Sequence, residues 1–168
     1  ISVIPILGGI AKKHGWDVNY FDTSFYEKKE DSVISKEKTG GFIPSPSETI
    51  PNMIPQVKLV PDFQDLINKF KPDVIAISAM TCDYQYLMTF FPTIKIPQST
   101  IVIIGGVHAM FSEDEVISSG LFDLVCENQG EEVFDEFLSR IEKNKPIDNI
   151  KGTLFRNRKT GLVNRNSK

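Results

Sequence analysis

Two short runs, Asp73-Val74-Ile75-Ala76-Ile77-Ser78 and Thr100-Ile101-Val102-Ile103-Ile104, are apolar at successive positions. A strand with one wet face alternates polar and apolar residues. A strand apolar throughout must be covered on both faces, as parallel strands between helical layers are. Phe122-Asp123-Leu124-Val125-Cys126 supplies a third run of this kind, and helical spacing fills the intervals. Asp62 is an N-cap candidate ahead of Phe63, Leu66, Ile67 and Phe70, and Lys71-Pro72 ends that helix. Asp83 to Phe91 forms the next helix. Ser112 starts another, with Glu113, Asp114 and Glu115 in its first turn, where the helix dipole favours acids. Glu131 to Glu142 is the last, with Val133, Phe134, Phe137, Leu138 and Ile141 turned inward.

The chain opens in the same rhythm. Pro5 to His14 reads as a helix with Ile6, Ile10 and Ala11 on one side, stopped at Gly15. Asp17-Val18-Asn19-Tyr20-Phe21 alternates as a short strand. Regular alternation of strand and helix predicts an α/β fold: a flavodoxin-like (Rossmann-like) doubly wound parallel sheet with helices on both faces. The core domain is expected over residues 1–148, with a long insertion at 22–60. That insertion carries Gly40-Gly41, the spaced prolines Pro44, Pro46, Pro51 and Pro55, and apolar Phe42, Ile43, Met53 and Ile54. It reads either as a lid or as a surface meander. Residues 149–168 are polar and basic, with a hairpin-like piece at Lys159-Thr160-Gly161, and read as a linker with little to bury. The start, without Met or a basic leader, suggests a piece of a longer protein.

Composition bounds the function. A chain of 168 residues suits one core, and no apolar run reaches the length of a membrane span. A formal net charge of -3 gives no electrostatic reason to expect nucleic acid as partner. The two cysteines, Cys82 and Cys126, lie far apart, against a disulfide framework or a thiolate metal site. A cytoplasmic protein fits these features.

In doubly wound sheets ligands sit beyond the carboxyl ends of the strands, near the switch in strand order. Three loops matter: Ser78-Ala79-Met80-Thr81, Gly105-Gly106-Val107-His108-Ala109, and Glu127-Asn128-Gln129-Gly130-Glu131-Glu132. Small hydroxyl residues and paired glycines allow close backbone approach and free N–H groups. His108 is a possible metal ligand, though a His in a Gly-Gly turn more commonly bonds backbone. His14 reads as a solvated dipole partner. Cys82 reads as a small buried residue and Cys126 as packing. Glu127, Glu131 and Glu132 read as a carboxylate site or, more simply, a solvated first turn.

PDVIAISAMT (Pro72–Thr81), IVIIGGVHA (Ile101–Ala109) and FDLVCENQGEEVFDEFL (Phe122–Leu138) together resemble the cobalamin-binding domain of B12-dependent radical SAM enzymes. ILGGIAKKHGWDVNYFD and the tail IKGTLFRNRKTGLV resemble that domain's first helix and strand and its link to the radical SAM barrel. The resemblance implies a corrin held at the carboxyl edge by Ser78, Ala79 and Thr81. It extends to Gly105, Gly106, Val107 and His108, and to Glu127, Gly130 and Glu131. It also implies a C-terminal radical SAM domain in the same protein, holding S-adenosylmethionine and a 4Fe–4S cluster. That parent would be a methyltransferase or an oxidoreductase or cyclase, with this piece not catalytic alone. Asn128-Gln129 departs from the Gly/Glu-rich turn usual there, and no Asp-x-His-x-x-Gly motif is present, which implies a cobalt without a protein His ligand. A cluster needs three thiolates, more than this chain holds.

Other classes compete on the same fold. A phosphoacceptor receiver needs an Asp where Ser78 ends its strand. A flavodoxin needs a phosphate loop after its first strand, which does not lie in these residues. A degenerate cobalamin-like domain that binds no cofactor and serves docking or substrate recognition is the third.

Overall fold

Three strands run parallel: β1 (Val74–Ser78), β2 (Ile101–Gly105) and β3 (Leu124–Cys126). β1, expected to be covered on both faces, has no fully buried residue, and Ala76 and Ser78 are exposed, because among the described strands it stands at the edge of the sheet. Two more, β4 (Thr153–Arg156) and β5 (Val163–Asn166), continue the sheet antiparallel, in the order β1-β2-β3-β4-β5. The computed structural model describes residues 3–27 and 53–166. It holds two units, Ile1–Asn19 with Pro72–Lys168, and Tyr20–Lys71.

The helices are α1 (Val3–Lys13), α2 (Leu59–Phe70), α3 (Thr81–Phe90), α4 (Val107–Phe111), α5 (Glu113–Ser118) and α6 (Gly130–Glu142). In the larger unit one face of the sheet meets α1 and α6. Ala11, Phe134, Phe137 and Leu138 pack there with Ile103, Leu124, Cys126 and Ile150. Pleat alternation turns Val102, Ile104, Val125 and Leu154 the other way, each at most 1% exposed. On that side α4 lies on β2 and β3, and α5 lies on β3 and β4. Phe122 stacks on Phe91 with ring centres 5.8 Å apart, anchoring the segment after α3. Each such fully buried side chain contributes about 1.5–3 kcal/mol.

The expected fold class holds, with corrections. The sheet is mixed, and among the described strands its order never reverses, so they contain no switch point. Residues 149–168 are not short of things to bury. Ile150, Thr153 and Leu154 are at most 1% exposed, and the segment pairs β4 along the whole of β3. The reason is electrostatic as well as apolar. Asp123 is 6% exposed at the start of β3, where its carboxylate accepts from Val102 N–H at 2.8 Å and pairs with Arg158. Arg158 also donates to the carbonyls of Gln98 (2.9 Å) and Thr100 (2.7 Å). A buried carboxylate needs such a partner, and the tail brings it.

Asp17–Phe21 makes no strand: it has no ladder partner among the described residues, and Val18 and Tyr20 are exposed. The helix expected to begin at Asp62 begins at Leu59, because a 3-10 turn at Gln56–Lys58 feeds into it and Pro61 is tolerated in a first turn. Asp62 instead accepts from the Tyr26 hydroxyl at 3.0 Å. Lys71, with φ 52°, ends α2 in a left-handed turn. α3 starts at Thr81, two residues before Asp83, whose carboxylate accepts from Met80 N–H at 3.3 Å. Val107-His108-Ala109, expected as a turn, forms the short helix α4, and Ser112 separates it from α5.

In the smaller unit, Phe21 packs on Tyr26 and Phe63. Tyr26 bridges to Ile54, through Ile54 N–H to Phe25 O at 2.8 Å and Glu27 N–H to Ile54 O at 2.9 Å. Ile54 from the expected insertion therefore packs. Phe42, Ile43, Gly40-Gly41 and Pro44, Pro46 and Pro51 lie outside the described residues.

His14 is not a solvated dipole partner. One ring nitrogen meets Asp135 at 3.1 Å and the other Glu142 at 3.0 Å, clasping the end of α1 to α6, and Trp16 Nε1 donates to the same Glu142 oxygen. The hydrogen bonds to Asp135, then to Glu142, hold His14 above its ordinary 6.5. The bond from His14, then that from Trp16, holds Glu142 below its ordinary 4.5. The His14 contribution is complete below pH 6.5 and is lost as pH rises through its raised value. The Glu142 contribution is complete above pH 4.5 and is lost as pH falls through its lowered value. The melting-temperature gap between the natural chain and a His14→Phe variant is therefore expected to be widest between pH 4.5 and 6.5. Thermal melts across pH check this, and a gap flat with pH would remove the ionic account.

Candidate functional site

Register places Ser78 beside Gly105 at the carboxyl edge, and just beyond them the chain crosses itself. Ala79 N–H donates to Gly105 O at 3.1 Å, and His108 N–H donates to Ala79 O at 3.2 Å. Gly106 sits at φ 99°, and a Cβ there would lie 2.6 Å from Ala79 O and 2.8 Å from Ala79 N. Only glycine fits that crossing. At Gly105 a Cβ would come 3.4 Å from the Cβ of the Cys126 side chain. The chain's own backbone thus fills the space that Gly106 leaves.

His108 is 6% exposed, and its ring stacks on Tyr84 with centres 4.1 Å apart at 24°. Its Nδ1 lies 3.4 Å from the Thr81 hydroxyl, and its Nε2 is buried without a partner among the described residues. Burial, then the Glu115 charge, pushes the Tyr84 phenol up. The ring is thus packed into the wall of the edge and turned away from solvent. His14 stands on the α1–α6 face, away from these loops.

Above this crossing lies an apolar ledge. α4 leaves Val107 51%, Met110 40% and Phe111 81% exposed, and Met80 in the β1–α3 loop is 57% exposed. Four large apolar side chains thus stand exposed on the two neighbouring loops at the carboxyl edge. Exposed Ser78 and Thr81 flank the ledge. The sequence signalled Val107 but not Met80, Met110 or Phe111, because the exposure of Met110 and Phe111 follows from α4 being too short to bury a full face and that of Met80 from its place in the β1–α3 loop.

The third loop behaves differently. Glu127, expected at the ligand, is 7% exposed and paired with Arg165, and its N–H donates to Gly152 O at 3.0 Å. The solvated reading fails for it. Gly152, at φ 74°, leaves room for Asn128, whose Nδ2 would lie 2.9 Å from a Cβ there. Gly130 opens α6 with free space around it, and Glu131 and Glu132 occupy the first turn. Ser78, Ala79, Thr81, Gly105, Gly106, Val107 and His108 thus come together around one crossing. Glu127 is turned to the hairpin.

Cys82 is exposed in the first turn of α3, not buried as expected, with its thiol 3.8 Å from an Asp83 carboxylate oxygen. Cys126 is buried, which pushes its thiol up to about 12. Among the described residues no group of three His, Cys, Asp or Glu is placed to hold a metal, and no helix is long and apolar enough to cross a membrane.

A family model for the B12 binding domain matches residues 49–138, more than half of the chain. An uncharacterized methyltransferase of Pyrococcus horikoshii is 27% identical over 97 residues, covering 56% of this chain and 21% of its own length. Two solved structures of the cobalamin-dependent S-adenosylmethionine radical enzyme OxsB also match at 19% identity. One has aqua-cobalamin and S-adenosylmethionine bound (TM-score 0.45), and the other is the apo form (0.43). Each match covers 68% of this chain and 16% of the OxsB chain. The chain therefore spans about a fifth of these proteins.

The two edge glycines make opposite predictions. Gly106→Ala is expected to lower stability by about 3 kcal/mol through the backbone clash and the positive φ. Gly130→Ala, in open space, is expected to stay within about 0.5 kcal/mol of the natural chain. Urea unfolding decides, and equal costs would refute the crossing as the reason for Gly106.

Proposed function

The chain belongs to the B12-binding domain family, and we propose that it seats a cobalamin on the ledge at the carboxyl edge, as one domain of a longer radical SAM protein. The observation that carries this is the ledge itself. Val107, Met110, Phe111 and Met80 stand exposed beside the hydroxyls of Ser78 and Thr81 and the tight crossing at Gly106. A large ring system with an apolar face and a polar rim suits that mixture. When bound, the group would supply a cobalt able to carry a methyl or other alkyl group.

The chain's own part is to hold and orient. The ledge side chains exclude water from the face they cover, and the hydroxyls meet polar groups at the rim. The Ala79–Gly106 crossing keeps the two loops fixed against each other. His108 is locked under Tyr84 and His14 is spent on two carboxylates, so the chain supplies no imidazole to the cobalt. S-adenosylmethionine and the 4Fe–4S cluster belong, on this reading, to a C-terminal radical SAM domain. The matched relative's description as a methyltransferase supports methyl transfer there. A cytoplasmic setting accords with that chemistry.

A second reading has its own observation. Glu127, from the loop expected at the cofactor, is paired with Arg165 of the hairpin, and the Asn128 side chain lies beside Gly152, which favours a degenerate domain used for docking. Titration of the chain with hydroxocobalamin, followed by desalting and absorbance, separates the two. Retained corrin that is lost by at least tenfold in affinity in Val107→Asp or Phe111→Asp is the expected result. Absence of retention in the natural chain would favour docking. Labelling the histidines with ¹⁵N is expected to leave the electron paramagnetic resonance spectrum of bound cob(II)alamin unchanged, and altered hyperfine splitting would show an imidazole ligand.

A further inference from the structure

One guanidinium gathers three carboxylates from two separate loops. Arg165 on β5 pairs with buried Glu127 after β3, with Asp114 at 2.6 Å and with Glu113 at 3.2 Å. Glu113 and Asp114 open α5, immediately after Ser112, whose N–H donates to His108 O at 2.9 Å and so closes α4. Arg165 therefore ties the α4–α5 junction, which carries the ledge, to the loop between β3 and α6. Three acids sharing one cation leave the cluster net negative. Removing the cation leaves them facing one another with Glu127 out of water, and like charges so placed drive the two loops apart.

We propose that Arg165 is a positioning residue for the carboxyl-edge site. It sets how far the ledge stands from the β3–α6 loop without touching what binds there. This rests on the cobalamin reading for its ligand but not for its geometry. Lysine keeps the charge and lacks the planar fork that reaches three partners, so it is a partial substitute.

The experiment compares the natural chain with Arg165→Met, Arg165→Lys and the control Arg158→Met. The control breaks the corresponding buried pair at the opposite edge of the sheet. Hydroxocobalamin affinity and the visible circular dichroism of the bound corrin are measured at a temperature where every variant remains folded. Amide hydrogen exchange is followed in the absence of ligand. Arg165→Met is expected to bind about tenfold more weakly with an altered corrin dichroism, as when a supporting shell is removed. Arg165→Lys should fall between, and Arg158→Met should bind as the natural chain does despite lost stability. If Arg165→Met does not fold, Arg165→Lys carries the comparison. Unchanged affinity and dichroism in the Arg165 variants, beside a natural chain that binds, would overturn the proposal. If the natural chain does not bind, the cobalamin reading fails and exchange decides on its own. Faster exchange confined to residues 107–114 and 127–130 in the Arg165 variants alone supports the clamp, and uniform exchange overturns it.

Discussion

β3 carries a buried carboxylate at each end, and the fold depends on how those two charges are met. Asp123 is 6% and Glu127 7% exposed, and neither is tolerable there alone. The hairpin answers both: Arg158 pairs with Asp123 at the amino edge, and Arg165 pairs with Glu127 at the carboxyl edge. β4 is held between them, with Leu154 opposite Val125 and Phe155 opposite Leu124. Apolar pairing supplies the burial, and the two arginines fix register, since a slip of one residue would strand both acids. A third, Arg156, donates to Gly120 O at 3.0 Å and ties the same hairpin to the turn before β3.

The site lies at the carboxyl end of this arrangement, where β2 runs beside β3 and the Gly105-Gly106 crossing over Ala79 positions α4. α4 is too short to bury its own apolar side chains, so they form the ledge. The same shortness makes its position depend on what surrounds it: the stack of His108 on Tyr84 below and the Ser112 junction with α5 beyond. The chain belongs to the B12-binding domain family, and the loop geometry gives its carboxyl edge a particular form.

The apolar run of β2 and the helical spacing of α6 were legible because each is a local pattern with one stable environment. β1 carries the same kind of run and yet stands at the edge of the described sheet with no fully buried residue. Gly106 was legible as a close approach, although what approaches is Ala79 of the same chain. Asp17–Phe21 misled because alternation describes a strand only when a neighbour pairs with it, and none of the described residues does. Glu127 misled because acids near a helix start are normally solvated, and its partner lies 38 residues away. A signal was present: two acids bracketing an apolar strand require cations, and the tail places arginines at 156, 158 and 165.

By itself the sequence determined the alternation of strand and helix, the parallel core and the edge at which the loops gather. Those follow from hydrophobic period and turn chemistry, which act over a few residues. Tertiary structure decided that the basic tail completes the sheet, that His108 is packed away while Phe111 is exposed, and that Glu127 faces an arginine. Each of these depends on which distant groups share a desolvated space, and no local pattern encodes that.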